Sequence, residues 1–455
     1  MAIQHPANLL EVSGAIMRKW IIFFGVISLL TGLMSGCAKK EKAEAKKENV
    51  SVVKIHWVVG SAPTRKYEIA GFYKDPSSKG IVVEPDMRSD NPKAILSMIE
   101  SGNPPDLFSI YSPADMLLYM EKEALLDLSP YMRRYKLDPG NFWTALKPYM
   151  QYKGKVYGFP SNCSPFVLFY NKKMFDESGI LYPNKHWTWK DLLEAAKKLT
   201  KKDKKTGRYT QFGLLSEDPD MFIWQNGGWY YTKDGKKCII NSPEAKWAFR
   251  WYYDLRFTHN AMPTPSEVQS LSAHGGGDGS LNLFAAEKVA MFIQGRGMVR
   301  ILRKNKILDW NIAPVPRGKH KVTKIVSRTY AIPRNCKHKY EAFKFLNYLI
   351  GPGQYIIVKS GDGIPSRISM CNSKEFLLDK DFPEEDRNKI YLDEMIYARA
   401  PEYSPYVSEI EANRIWQEEI NLCWNKKQSP DETLNKIAAR INKIIQQNLA
   451  KKKQK

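Results

Sequence analysis

Short strands rich in β-branched residues alternate with helical patterns along most of this chain, and this alternation constrains the fold more than any other feature. The strands are predicted at 52–59, 81–83, 107–110 and 166–170. Between them apolar residues recur at helical spacing, and one helix is predicted to begin after Thr188 with a Thr-x-x-Asp capping pattern. Strands that alternate with helices build α/β layers. The sequence therefore predicts an α/β fold, and the length of the chain suggests about two to three domains.

The C-terminal segment has the clearest single helix pattern. Ser429 suits the N-cap and Pro430 suits the first helical position. One apolar stripe follows at helical spacing, formed by Leu434, Ile437, Ala438, Ile441 and Ile445. A second amphipathic helix is predicted at 342–349.

The N-terminal segment has the layout of a bacterial lipoprotein signal. Arg18 and Lys19 precede an apolar run over 20–33, which is shorter than the ~20 residues that span a bilayer. Small residues at 35 and 36 then precede Cys37, whose thiol can take a lipid through a thioether. The alternative interpretation is an N-terminal transmembrane anchor with an incidental cysteine.

This layout predicts how the N-terminus is processed. We expect residues 1–36 to be a signal peptide and residues 37–50 to be a lipidated (palmitate-bearing) cysteine followed by a flexible tether rich in Lys and Glu. Met17 opens a complete signal by itself, so we expect translation to begin there and residues 1–16 to be untranslated.

Charge and cysteine usage narrow the function classes. The formal net charge of +22 would suit nucleic acid or a membrane surface, but lysine is spread along the chain and export removes the protein from nucleic acid. We therefore interpret the charge as solvated surface. The cysteines after Cys37 are far apart and include no C-x-x-C pair, so we expect buried thiols rather than a disulfide framework. They are Cys163, Cys238, Cys336, Cys371 and Cys423.

Signatures of catalysis, metal binding and cofactor binding are absent from the sequence. The chain has no G-x-S-x-G, H-E-x-x-H or Walker motif, and its seven histidines form no ligand cluster. Acidic pairs such as Glu217 and Asp218 are interpreted as solvated surface rather than as an acid–base couple. We therefore predict no catalytic residue, no metal and no cofactor.

The segment 224–231 (WQNGGWYY) concentrates aromatic rings, amides and glycines. Aromatic faces stack on sugar rings, while amides and main-chain groups bond hydroxyls. Trp229 and Tyr231 suit a core position equally well. Trp247 and Trp251 lie four residues apart on a predicted helix and are expected to pack in the core.

Ordered landmarks over 51–447 resemble the extracellular solute-binding proteins of ABC importers, in the large sugar-binding, maltose-binding-protein-like class. Each landmark is short, but their order and spacing are similar to those of the family. They are 103–107 (NPPDL), 157–160 (YGFP), 169–172 (FYNK), 187–192 (WTWKDL), 287–291 (EKVAM), 314–318 (PVPRG) and 361–367 (GDGIPSR). At Glu287 the family usually has Gly.

The resemblance implies a two-lobed, type II-like periplasmic-binding-protein fold. Two α/β lobes would be joined by crossover hinge strands, with the ligand in the cleft between them. We expect 51–160 to form the first part of the N-terminal lobe and 161–325 to form mainly the C-terminal lobe. Residues 326–455 would supply the hinge-crossing segments and the C-terminal helices.

The resemblance also implies which residues face the cleft. They lie in loops after the predicted strands, after Pro160, in the aromatic segment and in three later segments. They are Ser61, Tyr111, Ser112, Ser161, Asn162, Ser164, Trp224, Asn226, Arg296, Arg328, Tyr330 and Arg367, with Tyr403 or Tyr406 as late contacts.

Three of these residues suggest the charge of the ligand. Arg296 and Arg328 stand where the family usually has neutral or aromatic residues, and Arg367 lies in a third cleft segment. Arginine suits carboxylate, sulfate or phosphate groups through paired hydrogen bonds, and unpaired arginines would repel one another in a closing cleft. The pattern predicts an acidic oligosaccharide. The alternative is that each arginine pairs with a local acid, for instance Arg367 with Asp362.

The resemblance implies a monomeric, lipid-anchored solute-binding protein at the extracytoplasmic face of the cell membrane. It would capture a carbohydrate and deliver it to the permease subunits of an ABC importer, with no nucleic-acid partner and no chemistry of its own. One alternative is a secreted carbohydrate-active enzyme such as a polysaccharide lyase, which would need a base and a charge neutraliser in the cleft. Another is a binder of a peptide, metal or polyamine, the last of which would need several acids.

Overall fold

The computed structural model describes residues 52–87, 90–272, 279–305, 307–382 and 385–453. The predicted signal peptide, the start at Met17, Cys37 and the tether lie outside the described residues. Within the described ranges, none of the helices has the length and apolar character of a membrane span.

The four strands predicted from β-branched patterns are confirmed, and the shortest of them is buried along its whole length. In chain order the strands are β1 Val53–Val58, β2 Ile81–Asp86, β3 Leu107–Ile110, β4 Gln151–Tyr152, β5 Lys155–Val156, β6 Gly158–Pro165, β7 Val167–Asn171, β8 Lys201–Lys202, β9 Tyr209–Leu215, β10 Val289–Gln294, β11 Trp310–Ala313, β12 Thr323–Ala331 and β13 Ala398–Arg399.

Helices connect and cover these strands. In chain order they are α1 Arg65–Phe72, α2 Pro92–Glu100, α3 Pro113–Glu121, α4 Ser129–Arg134, α5 Lys172–Glu177, α6 Trp189–Leu199, α7 Asp220–Gln225, α8 Pro243–Phe257, α9 Pro265–Leu271, α10 Ser280–Ala285, α11 Val299–Leu302, α12 Lys339–Leu349, α13 Gln354–Lys359, α14 Ile368–Cys371, α15 Lys374–Leu377, α16 Lys389–Met395, α17 Glu409–Trp424 and α18 Pro430–Lys453. Short 3₁₀ helices cover Pro76–Ser78, Pro139–Asn141, Thr144–Tyr149 and Arg296–Met298.

Local sequence signals explain where two of these helices begin. At the start of α6, Oδ2 of Asp191 accepts a hydrogen bond from the backbone N–H of Thr188 at 2.8 Å, which confirms the capping box. At the start of α18, Oγ of Ser429 accepts from the N–H of Glu432 at 3.2 Å. The predicted apolar stripe of α18 is buried, so this helix is fixed by both its cap and its packing.

Two sheets form the frames of the two lobes. The first has the order β13-β12-β3-β1-β2, with β6 paired antiparallel to β12. The second has the order β11-β7-β10-β9-β8, and β4 pairs with β5 in a separate short hairpin. We call the first sheet with its helices the first lobe and the second sheet with its helices the second lobe.

The chain passes between the sheets at two points close to one another. β6 ends at Pro165 in the first sheet and β7 begins at Val167 in the second. The chain returns after β11, and Ile325 of β12 lies opposite Pro165. The domain boundaries after 160 and 325 stay predictions; β6 and β12 each continue across one of them.

Two large apolar cores support the lobes. In the second lobe, α17 and α18 pack with α8 through buried residues such as Ile420, Ile437 and Phe249. The other core includes Trp57 of the first sheet and Phe292 of the second. The five cysteines of the described chain are buried and free, which confirms their prediction as small apolar residues.

Candidate functional site

The cleft between the lobes contains a cavity of about 310 Å³, called the main cavity below. Ser112, the N-cap of α3, begins its wall in the first lobe. Its Oγ donates a hydrogen bond of 2.6 Å to Oε2 of Glu409, at the start of α17 in the second lobe, so the walls touch. The lining includes Ser112, Pro113, Asp218, Asp220, Trp224, Tyr230, Tyr231, Lys324, Glu402, Tyr403, Glu409 and Trp416.

A second cavity, of about 410 Å³, lies beside the hinge strands. Its lining includes Tyr111, Asn162, Ser164, Gln294, Arg300, Ser327, Arg328 and Asp362. Alternate residues of a strand face the same side, so Lys324, Val326 and Arg328 lie on one face of β12. Lys324 lines the main cavity and the other two line the second, so one strand face connects the two cavities.

Lys324 is held between two carboxylates in the main cavity. Its Nζ lies 2.7 Å from Oδ2 of Asp218 and 2.8 Å from Oδ2 of Asp220, at the two ends of the turn before α7. Burial opposes the charge of Lys324, but the two carboxylates outweigh it and raise the pKa of the amine. Burial and the neighbouring Asp220 raise the pKa of Asp218 to about 6. The acids of this cluster are therefore oriented and partly neutralised before any ligand arrives.

Glu402 organises the aromatic segment of the main cavity. Its carboxylate accepts from Nε1 of Trp224 at 2.9 Å and from the backbone N–H groups of Tyr230 and Tyr231 at 3.0 and 3.1 Å. Nη2 of Arg399 also donates to it at 2.7 Å. Burial raises the pKa of Glu402, and Arg399 together with these hydrogen bonds opposes that rise. The carboxylate thus fixes the rings in one arrangement.

The aromatic residues divide between core and cavity. Trp224 lines the main cavity but is only 2% exposed and belongs to the core of the second lobe. Tyr231 is also buried, and the hydroxyl of Tyr230 donates to Asp220. Trp229 is 49% exposed, with the guanidinium of Arg399 3.3 Å from its ring centroid. Trp247 stacks on Trp189 while half of its own surface stays exposed, so its predicted burial is incomplete.

Of the three arginines that were predicted to face the cleft, Arg328 lines a cavity. It is 6% exposed and lines the second cavity. Its Nε donates to Oγ of Ser161 at 3.2 Å, Oε1 of Glu68 lies 3.8 Å from its Nη2, and Nη2 has no hydrogen-bond partner. Ser161 is itself fully buried, and its hydrogen bond with Arg328 orients the guanidinium.

Arg296 and Arg367 are placed differently from the expectation. Arg296 is 1% exposed and donates to the carbonyls of Val358 and Gly363 at 3.0 and 2.7 Å, with Glu385 at 3.8 Å from Nη2. Its side chain therefore points into the protein, and only its backbone N–H meets the cleft residue Ser164, at 2.5 Å. Arg367 is half-buried and forms a β-bridge with Phe142, outside both cavities. Local hydrogen bonds thus explain the placement of Arg296, whereas Nε of Arg367 is buried without a hydrogen-bond partner.

The other residues that were predicted to face the cleft divide between the two cavities and positions outside them. Tyr111, Asn162 and Ser164 line the second cavity, and Ser112, Trp224 and Tyr403 line the main one. The following are corrections. Ser61 is exposed and lines neither cavity, Tyr330 is buried against Trp57, and Tyr406 packs on the second core. Asn226 is buried because its amide donates to the carbonyl of Glu244 at 2.7 Å at the end of α7.

The charged residues of the main cavity are what the sequence analysis missed. Asp218 was interpreted as solvated surface, yet it bonds Lys324 from 106 positions away. Glu402 follows the tryptophan that it holds by 178 positions. No local pattern signals such pairs. Among the described residues, no group of three or more His, Cys, Asp or Glu side chains could hold a metal ion.

Comparison with known sequences identifies relatives of the chain. The model of the bacterial extracellular solute-binding protein family matches residues 80–356. A binding protein of Brucella abortus is 27% identical over 205 residues, which are 43% of this chain and 47% of the relative. The chain thus spans about half the length of that relative. An arabinooligosaccharide-binding protein of Bacillus subtilis is 25% identical over 355 residues, 74% of this chain and 77% of the relative.

Comparison with solved structures confirms the predicted fold. An ABC substrate-binding protein of Listeria monocytogenes in complex with cycloalternan is 24% identical with a TM-score of 0.74, covering 86% of this chain and 99% of that one. A maltose-bound protein of T. maritima is 18% identical with a TM-score of 0.69, covering 85% and 98%. The chain has their two-lobed α/β periplasmic-binding-protein fold.

Proposed function

Because the chain belongs to the bacterial extracellular solute-binding protein family, we propose that it is the lipid-anchored, carbohydrate-binding component of an ABC importer. The observation that carries this proposal is the main cavity, where aromatic rings and carboxylates such as Trp416 and Asp218 of the second lobe face Ser112 of the first. Membership of the family makes the chain a binding protein rather than an enzyme, and the lyase alternative is therefore set aside.

The chemistry of the main cavity suits a polyhydroxylated ligand. Tyr230, Tyr403 and Trp416 offer ring surfaces, on which the C–H face of a sugar packs well. Asp218 accepts from Lys324 and from the N–H of Asp220 and keeps oxygen lone pairs for sugar hydroxyls, because a carboxylate accepts about four hydrogen bonds. Closure of the lobes would bury these contacts and give the permease a ligand-dependent shape to recognise.

The carboxylates themselves favour a sugar over a polyamine. A polyamine would need acids without cationic partners, and several acids do line the cavity. However, Asp218 and Asp220 already hold Lys324, and Glu402 already holds Arg399. Lys324 and Arg399 offset part of this negative charge inside the protein, which favours a neutral donor of hydrogen bonds over a polycation.

The second cavity suggests where an acidic group would lie. We infer an oligosaccharide whose neutral units occupy the main cavity and whose single acidic unit faces Arg328 and Arg300. The incompletely bonded guanidinium of Arg328 supports this inference, since a carboxylate, sulfate or phosphate accepts paired hydrogen bonds. The fully acidic oligosaccharide predicted from three arginines is not retained, because the side chain of Arg296 points into the protein and Arg367 lines neither cavity.

Relatives support the same ligand class. The Bacillus subtilis relative is named for arabinooligosaccharides, and the Listeria monocytogenes and T. maritima structures contain cycloalternan and maltose. We extend only the class of ligand, an oligosaccharide, to this chain.

Calorimetry with a ligand panel tests the proposal. The purified protein would be titrated with arabinotriose, maltotriose, mannotriose, their uronate-bearing counterparts and spermidine. We expect at least one oligosaccharide to bind with a Kd of about 1 µM or tighter, to shrink the radius of gyration in solution scattering, and to be recovered unchanged. Binding of spermidine alone, or consumption of a sugar, would contradict the proposal.

A further inference from the structure

We propose that the ligand extends beyond the main cavity into an outer subsite in the second lobe, where Arg256 binds an additional sugar unit. This inference rests on the proposed function and names the length of the ligand. The outer subsite is a third cavity of about 380 Å³, and it shares Asp218, Trp416 and Gln417 with the main cavity. A chain of sugars could therefore pass from one to the other across Trp416.

Arg256 supplies an unused hydrogen-bond donor at this subsite. It lies near the end of α8, is 7% exposed and lines the third cavity. Its Nη2 donates to the carbonyl of Ser216 at 3.1 Å and to the hydroxyl of Tyr252 at 2.9 Å. Its Nη1 is buried and has no hydrogen-bond partner. A buried donor without a partner destabilises the protein, and a ligand oxygen in this position would remove that penalty.

The guanidinium of Arg256 packs over aromatic rings rather than against an acid. Across the described ranges, its recorded hydrogen bonds go to a carbonyl and a hydroxyl, and none goes to a carboxylate. The guanidinium lies 4.3 Å from the ring centroid of Tyr252 and 5.1 Å from that of Trp424. Because no local carboxylate occupies the guanidinium, the unpaired Nη1 stays available to a hydroxyl or an acidic group of a sugar.

The aromatic surface of the subsite is held rigidly. Trp424 stacks with Tyr253 and Phe257, at centroid distances of 6.0 and 5.9 Å. Trp416 is half-buried at the boundary of the main cavity. Rings fixed in this way bind a sugar face without losing side-chain freedom.

One backbone segment, from Ser216 to Asp220, connects the outer subsite to the main cavity. Ser216, whose carbonyl accepts from Arg256, immediately precedes the turn that bears Asp218. The same turn ends at Asp220, which holds Lys324. Occupation of the outer subsite would therefore reinforce the arrangement of acids that contacts the inner sugar units.

A length series tests the outer subsite. The purified protein would be titrated calorimetrically with arabino-, malto- and manno-oligosaccharides of two to six units. In the series that binds, we expect the affinity to rise about tenfold or more on addition of the unit that reaches Arg256, and then to level off. Arg256→Gln should abolish this tenfold gain, so that the longer ligands bind the variant no more tightly than the shortest binder.

Arg250→Gln provides the matched control. Arg250 lies on the same helix, but it is half-exposed and pairs with Asp431 of α18 at 2.8 Å, away from the cavity. This variant should keep the full gain with length. If Arg256→Gln fails to fold, Val268→Tyr offers a second route, because Val268 lines the third cavity from α9 and a larger side chain would fill it. That variant should weaken only the longer ligands.

The outcomes separate this inference from the function on which it rests. Equal affinity for all lengths in the wild-type protein, or an equal loss at every length in Arg256→Gln, would overturn the outer subsite and leave sugar binding intact. Absence of binding to every oligosaccharide would overturn both.

Discussion

At the scale of single residues, Trp224 is part of both the cavity wall and the core. Its substitution therefore cannot test sugar stacking alone. Its ring lines the main cavity but is buried in the second core, with Nε1 bonded to Glu402. We expect Trp224→Ala to lower the free energy of unfolding by about 3–5 kcal/mol, as for other large-to-small core substitutions, besides weakening sugar binding. Chemical denaturation would measure this, with exposed Trp229→Ala as the control. Unchanged stability in Trp224→Ala would contradict the assignment to the core.

Arg328 and Arg296 provide a second residue-scale prediction, because one reaches a cavity and the other does not. Arg328→Gln should weaken binding of a uronate-bearing oligosaccharide about tenfold relative to its neutral counterpart, through loss of a charge-assisted pair. Arg296→Gln should lower the melting temperature, since two buried carbonyls lose their donor, without changing this ratio. Calorimetry with matched ligands measures both effects. A ratio that changes in Arg296→Gln alone would refute the placement of the acidic unit.

At the scale of elements, the sequence predicted what is encoded within a few residues. The strand at 107–110, the capping box at Thr188 and the stripe of α18 were found because cap, spacing and burial are local properties. The acids of the main cavity were missed for the opposite reason. Asp218 and Lys324 lie on different elements, and only the folded chain brings them together. Motif resemblance located the loops of the cleft but not the direction in which Arg296 points.

The contact between α3 and α17 predicts how stability depends on pH. Asp115, in the first turn of α3, is buried near Glu409 of α17, and burial together with Glu409 raises its pKa to about 6. Its ordinary pKa is about 3.9, so between about pH 4 and 6 the folded state binds more protons than the unfolded state. Stability should therefore fall as the pH rises through this window.

The Asp115→Asn variant isolates this contribution, because asparagine does not titrate. Melting temperatures measured from pH 4 to 7 should decline less steeply in the variant than in the wild type. Some decline should remain, since the pKa of Asp218 is also raised to about 6. The exposed Asp309→Asn serves as the control and should keep the wild-type slope. Identical slopes in Asp115→Asn and the wild type would exclude the contact as a source of pH dependence.

At the scale of the whole molecule, the fold and the site differ in how far the sequence specified them. The two lobes followed from an ordered set of short motifs, some of which form hinge strands and helix starts in the structure. In the function proposed above, ligand identity depends instead on single side chains along one face of β12. There, Lys324 among acids and Arg328 in a cavity with Arg300 make two chemically different regions of one cleft. A ligand with a neutral part and an acidic part matches that difference.

The predicted lipid anchor at Cys37 is the remaining property of the whole molecule that can be tested. A bound acyl chain contributes about 0.8 kcal/mol per buried CH₂, so lipidation of Cys37 should shift the protein into the membrane fraction. Cys37→Ala should leave that fraction, whereas Cys238→Ala, which removes a buried thiol of the folded domain, should remain in it. Fractionation would be combined with mass spectrometry of the mature N-terminus. A Cys37→Ala protein that stays uncleaved in the membrane, beside a wild-type protein without lipid mass, would instead identify the apolar run over 20–33 as a transmembrane anchor.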